Sequence, residues 1–400
     1  MDKKKLDELA IFSGIPSFEE KLHVGRPNVG DRKRFLQRVE DMFDRRWFTN
    51  NGPFVQEFEQ KICDYLGVKH CIVVCNATIA LEIAARALDL SGEVIVPSFT
   101  FVATAHALQW QKITPVFCDV NPQTHCLDIE SVRRKITPRT TGIVGVHVWG
   151  QPCEIEALTN LVREQKLKLL FDAAHAMGSA HRGQMIGNFG DAEVFSFHAT
   201  KFFNSFEGGA ITTNNSELAS KIRLMKNFGF SGLDKVVFPG TNGKMTEVSA
   251  AMGLTSLESI DSFIEINQRN FQFYNNELKN LNGIKVFQYE KNEKRNFQYI
   301  ILEVDESQTG LTRDQLVQIL HSENVLARKY FYPGVHEMEP YKTDFPQSGK
   351  ELPETKSLCQ RVMSLPNGSS VNIESIKHIC EIIRIAVKHP VEIREKLASL

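Results

Sequence analysis

Apolar residues along this chain recur at two spacings. Within residues 32–47, Phe35, Val39, Met42 and Phe43 fall three or four positions apart. That spacing predicts a helix with one buried face, ending before the turn-forming Asn50-Asn51-Gly52-Pro53. Phe54, Phe58, Ile62 and Tyr65 predict a second helix that stops near Gly67. Short runs then follow, rich in apolar and β-branched residues, at 70–74, 93–96, 115–118, 141–148, 168–171, 192–197 and 210–212. Between them lie helical stretches, one opening at Asn76-Ala77-Thr78 with Ile79, Ile83, Ala87 and Leu88 on its apolar face, another at 128–135. Because the short runs are almost continuously apolar rather than alternating, they predict a mostly parallel sheet covered by helices on both faces, an α/β fold.

The pattern changes after about residue 249. Residues 249–280 read as one long helix or two, with Ile264, Phe271, Tyr274 and Leu278 directed inward. A strand at 297–304 and helices at 313–323 and 373–388 follow. The expected division is a large domain of residues 1–250, with an N-terminal segment of residues 1–25, and a smaller C-terminal α+β domain of residues 251–400. A chain of 400 residues with 42% hydrophobic composition can bury cores for two such domains.

Charge excludes some partners. With 47 basic and 48 acidic residues the formal net charge is −1, which supplies no attraction to nucleic acid or to an anionic membrane. The eight cysteines form no CxxC pair, as expected of reduced thiols in a cytoplasmic protein. The stretch MDKKKLDELAIFSG lacks the apolar region of a secretory signal, and no run approaches the roughly 20 apolar residues of a membrane span. No metal site is expected.

Candidate chemistry concentrates between residues 168 and 209. Asp172 ends one apolar strand; Lys201 follows another by a few residues and precedes Glu207-Gly208-Gly209. In open α/β sheets a ligand sits beyond the carboxyl ends of the strands, so Asp172 and Lys201 are candidates to face one cleft. Pyridoxal phosphate needs such a pair, an amine to hold it as a Schiff base and a carboxylate to keep its ring nitrogen protonated. Singly, each has an ordinary reading, a helix cap for the acid and a solvated charge for the lysine. His147, at the end of its strand, reads as a ligand contact or as a satisfied buried histidine.

The words FDAAHAMG, GDAEVFSFHATK and EGGAI resemble the cofactor-binding core of the DegT-type sugar-nucleotide aminotransferases, fold type I enzymes that depend on pyridoxal 5'-phosphate. The resemblance extends through PNVGD, RRWFTNNGPFVQEFEQ, PSFTFVATAHAL, KNFGFSG and ARKYFYPGVH, nearly the whole chain. It implies that Lys201 carries the cofactor as a Schiff base and shuttles protons, that Asp172 pairs with the pyridinium nitrogen and that His175 meets the phenolic oxygen. Ser196 and the backbone amides of Ala77, Thr78 and Ile79 would hold the phosphate, and Phe101 would stack on the ring. At the position of His175 the family often has glutamine. Asn227 would reach the phosphate of a neighbouring subunit, making a homodimer with shared sites. Lys329, Tyr332 and His336 are candidates to contact the nucleotide or sugar.

The activity so implied is ping-pong transfer of an amino group from glutamate to a nucleoside-diphosphate-linked 4-keto-6-deoxyhexose. The Arg26-Pro27-Asn28-Val29-Gly30 segment looks more like the enzymes that aminate C4 than those that aminate C3. Three alternatives stay open: C3 amination or another keto-sugar, different pyridoxal phosphate chemistry on the same fold, and a regulatory relative without turnover. Retention of Lys201 counts against the dehydratases, in which histidine replaces it.

Overall fold

A computed structural model describes residues 3–290 and 292–399. Seven strands form the main sheet: β1 (His70–Val74), β2 (Glu93–Pro97), β3 (Thr114–Cys118), β4 (Thr140–Val146), β5 (Lys168–Asp172), β6 (Ala192–Ser196) and β7 (Gly209–Thr213), in the order β1-β7-β6-β5-β4-β2-β3. β7 runs antiparallel to both neighbours, whereas β6, β5, β4, β2 and β3 pair in parallel. The near-continuous apolar runs have the reason anticipated: successive residues feed two separate cores. Cys71, Val73, Ile95, Leu169, Phe171 and Phe195 pack on one face, and Ile72, Val74, Val94, Val96, Leu170 and Val194 on the other.

Helix α1 (Arg32–Arg45) starts at Asp31, whose carboxylate accepts from the amides of Lys33 and Arg34. It ends at Arg46 in a left-handed conformation. Met42 is buried on it, but Phe43 is 61% exposed, so the expected inward face is narrower than the spacing suggests. Helix α2 (Pro53–Leu66) buries Phe54, Phe58 and Ile62 and stops at Gly67, also left-handed. Its cap, Gly52, has no side chain. Instead the buried Glu247 accepts from the amides of Phe54 and Val55, each at 2.9 Å. Helix α3 (Ala77–Ala87) begins at Asn76, directly after β1.

The 249–280 region forms two helices, α4 (Glu247–Leu257) and α5 (Ile260–Leu278), and α5 packs against α6 (Ile373–Lys388). Beside them lies a second, antiparallel sheet of β8 (Ile284–Val286), β9 (Ile300–Val304) and β10 (Val362–Leu365). β9 starts three residues later than expected, at Ile300. The N-terminal segment is tied down by the buried Glu323, which accepts from Ala10 and Ser17 amides and from Ser17 Oγ. Asn28 fixes the next stretch, donating to Phe202 O at 2.9 Å and accepting from Ser369. Among the described residues no helix is long and apolar enough to cross a membrane.

Candidate active site

A cavity of about 610 Å³ opens beyond the carboxyl ends of the parallel strands. Each strand end delivers a polar or aromatic group to it: Asp172 terminates β5, Ser196 terminates β6, and Phe101 follows β2. Lys201, His175, Ala77, Thr78 and Ile79 line the same space.

The first turn of α3 supplies an anion cradle. Ile79 N donates to Asn76 Oδ1 at 2.9 Å, so that amide is already used in the helix cap. This departs from the expectation for Ile79, whose part is reduced to lining the wall. The amides of Ala77 and Thr78 have no acceptor among the described residues and sit at the positive end of the helix dipole. A Cβ on Gly209 would come within 2.8 Å of Ala77 N. Gly209 thus marks a close backbone approach, and β7 can pass beneath the cradle only as glycine.

Asp172 is buried, with Thr104 Oγ1 donating to one carboxylate oxygen at 2.8 Å and Ala174 N to the other at 3.1 Å. Burial pushes its pKa up, and the Thr104 and Ala174 hydrogen bonds and the charge of Lys201 oppose that rise. Burial lowers the Lys201 amine to about 8, with Asp172 pulling the other way. Its Nζ lies 3.3 Å from Tyr299 Oη. His175 is held well below the ordinary histidine range, first by burial and then by the Lys201 charge. Its Nδ1 accepts from Trp149 N at 3.2 Å, which places the proton of the neutral ring on Nε2.

Several wall residues escape a reading of the sequence. Tyr299, Tyr330 and Phe331 close the cavity from the C-terminal half, and Val24 and Gly25 close it from the N-terminal segment. Tyr330 and Phe331 belong to the RKYFYPGVH segment, but the three positions expected to face the ligand do not line the cavity. Lys329 pairs with Asp314 at 3.3 Å and sits over the Tyr332 ring at 4.8 Å. Tyr332 is 41% exposed on the outer side. His336 is buried with Nδ1 2.6 Å from Ser98 Oγ. Asn227 also lies outside this cavity, its Oδ1 accepting from Lys244 Nζ at 3.1 Å. His147 takes the buried-histidine reading, paired with Glu193 at 3.2 Å and stacked on Phe171.

A mostly parallel, doubly covered sheet thus brings an acid and a lysine to one cavity at its carboxyl edge, the arrangement of an α/β enzyme site. Residues 30–384 match the DegT/DnrJ/EryC1/StrS aminotransferase family, and the chain belongs to it. Membership makes the chain a transaminase and implies pyridoxal phosphate as its cofactor. It is similar to the dTDP-4-amino-4,6-dideoxy-D-glucose transaminase of Shigella dysenteriae, 37% identical over 368 residues covering 92% of this chain and 99% of that protein. The GDP-perosamine synthase of Caulobacter vibrioides is 35% identical over 326 residues, 80% of this chain and 87% of that protein. Among solved structures, DesI in the presence of its TDP-sugar product superposes with a TM-score of 0.93 at 44% identity, covering 98% of this chain and all of that one.

The residues present fit the implied cofactor. Two unpartnered helix amides suit a phosphate, a buried carboxylate suits a protonated ring nitrogen, and the exposed face of Phe101, 59% accessible, offers a flat apolar wall.

Proposed function

We propose that the cavity holds pyridoxal 5'-phosphate and that the enzyme transfers the amino group of glutamate to C4 of a nucleoside-diphosphate-linked 4-keto-6-deoxyhexose. The observation that carries this reading is the convergence of Asp172, Lys201 and the open amides of Ala77 and Thr78 on one cavity. When bound, the cofactor supplies a carbonyl for the amine and an electron sink in its ring. Asp172 keeps the ring nitrogen protonated, and its hydrogen bonds from Thr104 and Ala174 keep its own carboxylate ionised despite burial. His175 donates from Nε2 to the phenolic oxygen. Ser196, Ala77 and Thr78 hold the phosphate, while Phe101 covers one ring face and excludes water.

Lys201 Nζ is the proton carrier. With a pKa of about 8 it exchanges readily between amine and ammonium near neutral pH, so it can take the α-carbon proton of the donor in the first half-reaction and deliver a proton to C4 of the sugar in the second. Glutamate leaves as a 2-keto acid, its keto oxygen supplied by water, before the sugar enters, and the keto oxygen of the sugar departs as water. The C4 position rests on the names of relatives: the Shigella dysenteriae protein is named for an amine at C4 of a dTDP-sugar. Because another relative is named for a GDP-sugar, thymidine and guanosine diphosphates are the first bases to test.

The same reading takes residues 1–250 as the cofactor-binding domain and 251–400 as the smaller one, supported by the separate sheets of β1–β7 and β8–β10. It takes the enzyme as a homodimer in which Asn227 serves the second subunit's site, and as cytoplasmic, supported by eight cysteines that are all free thiols.

The test is a visible absorption spectrum of the protein supplied with pyridoxal phosphate, before and after glutamate and then each of a panel of nucleotide-linked 3-keto and 4-keto sugars. Glutamate should bleach the band and a 4-keto sugar should restore it, with release of an aminosugar; Lys201→Ala should bind phosphate yet transfer nothing. Restoration by 3-keto sugars alone would move the amination to C3. A band that glutamate leaves unchanged would sink the transaminase assignment.

A further inference from the structure

His125 lies outside the cavity and takes no part in the chemistry described, yet it is fully buried. Its Nδ1 accepts from Trp149 Nε1 at 3.0 Å. Nδ1 can accept only when it carries no proton, so the proton of the neutral ring sits on Nε2, which lies 3.4 Å from Glu303 Oε1. Glu303 is on β9 of the small sheet and is itself held by Arg361 at 3.2 Å. Phe99 and Phe287 wedge the imidazole at centroid distances of 5.7 and 4.9 Å. The ring therefore has one orientation, fixed from both halves of the chain.

Trp149 is the next member. Its backbone is at φ 62, a left-handed conformation that a bulky residue adopts only when its surroundings impose it. The indole lies nearly parallel to Phe331, 5.1 Å away at 5°, and to His175, 5.9 Å away at 14°. Its main-chain N–H is the donor that fixes the His175 tautomer. The hydrogen bond to His125 sets the plane of the indole, and the indole and its amide together set the plane and the protonated nitrogen of His175. Asn296 completes the clamp by donating to His175 O at 2.7 Å.

We infer that His125 is a positioning residue which, through the Trp149 indole and amide, keeps His175 as a neutral donor with its Nε2–H facing the cavity. The small sheet's Glu303 faces the His125 Nε2 at 3.4 Å without closing a hydrogen bond, and with Phe287 it walls the ring from the C-terminal half. The inference rests on the assignment of His175 to the cofactor's phenolic oxygen for its kinetic consequence, but the tautomer itself is a property of the chain alone.

Three variants test it in the full-length protein. His125→Phe fills the space and cannot accept; His125→Asn returns an acceptor; Trp149→Phe keeps a ring and the main-chain N–H while deleting the indole donor. Long-range proton–nitrogen spectra of protein labelled with nitrogen-15 histidine, recorded without cofactor, should show His175 as a single Nε2–H form in the native chain. That signal should become a tautomer mixture in His125→Phe and Trp149→Phe and recover in His125→Asn. In the transfer assay kcat should fall about tenfold in the first two variants, the KM values should hold within about twofold, and His125→Asn should restore most of the rate. An unchanged His175 signal in Trp149→Phe, or His125→Asn as impaired as His125→Phe, overturns the proposal. Trp149→Phe carries the test alone should His125→Phe fail to fold. Because the spectra need no substrate, failure of every keto-sugar in the assay would count against the proposed function and leave the relay to be judged by the tautomer.

Discussion

Lys201 is placed where a lysine is poorly tolerated. Burial disfavours its cation and brings the amine to about 8, so the folded chain binds fewer protons there than the unfolded chain between that value and the ordinary 10.5. Stability contributed by this group therefore rises as pH climbs through that window and is lowest below it. Lys201→Met should raise the melting temperature of the cofactor-free protein at neutral pH and abolish amine transfer; a lower Tm than native would contradict the burial argument. The same depressed value predicts that capture of pyridoxal phosphate, followed by its visible absorption, accelerates with pH about a midpoint near 8. Thr104 has the complementary role of keeping Asp172 ionised. Removing that hydroxyl in Thr104→Val should raise the Asp172 pKa further, weaken cofactor affinity by about 1–3 kcal/mol, and shift its acid loss to higher pH, all readable by titration with pyridoxal phosphate. Asp172 and Lys201 were legible in the sequence because each follows an apolar strand. Thr104 was not, because its partner is 68 positions away and nothing local marks a threonine as a donor to a distant carboxylate.

The strands β1–β7 were legible from their apolar runs and the helices α1–α3 from their spacing, whereas the helices Ile155–Gln165 and Ser216–Met225 were not read despite their buried faces. The short strands β8 and β10 escaped, since three or four residues carry too little pattern to separate them from loop. The alternation within RKYFYPGVH was also beyond reach: which of Lys329, Tyr330, Phe331 and Tyr332 turn inward depends on Asp314, which holds Lys329 outward, and on Trp149, which receives Phe331. The start of α2 offers a further case. With glycine as its cap, the helix relies on the carboxylate of Glu247, on α4, to satisfy two of its free amides. No reading of residues 50–56 alone would find that partner. Glu247→Ala should leave both donors buried and unpaired, destabilising the fold by roughly 1–3 kcal/mol in denaturant unfolding, with Glu247→Gln losing less because it keeps one acceptor oxygen.

Two stretches of the chain each expose several large apolar side chains. Leu36, Phe43, Trp47 and Phe48 lie on α1 and its exit, 45–61% exposed. Phe228, Leu233, Val236 and Val237 lie on the loop that carries Asn227, with Leu233 94% exposed. A monomer leaving both in water would be prone to association, and a two-fold dimer that buried them would remove that surface from water. Sedimentation should therefore report a dimer, and Leu233→Asp combined with Phe43→Glu should shift it toward monomer. Whether the sites are shared is decided by mixing two defective chains. Lys201→Ala lacks the proton carrier but keeps Asn227; Asn227→Ala keeps the carrier but lacks the residue proposed to reach across. If Asn227 serves the other subunit, a heterodimer of the two has one site with both residues intact and one with neither. Random reassociation makes half the dimers mixed, so activity should return to about a quarter of native, from two preparations that are each nearly inactive. If Asn227 acts within its own chain, no mixed dimer contains an intact site and activity stays at the sum of the parents.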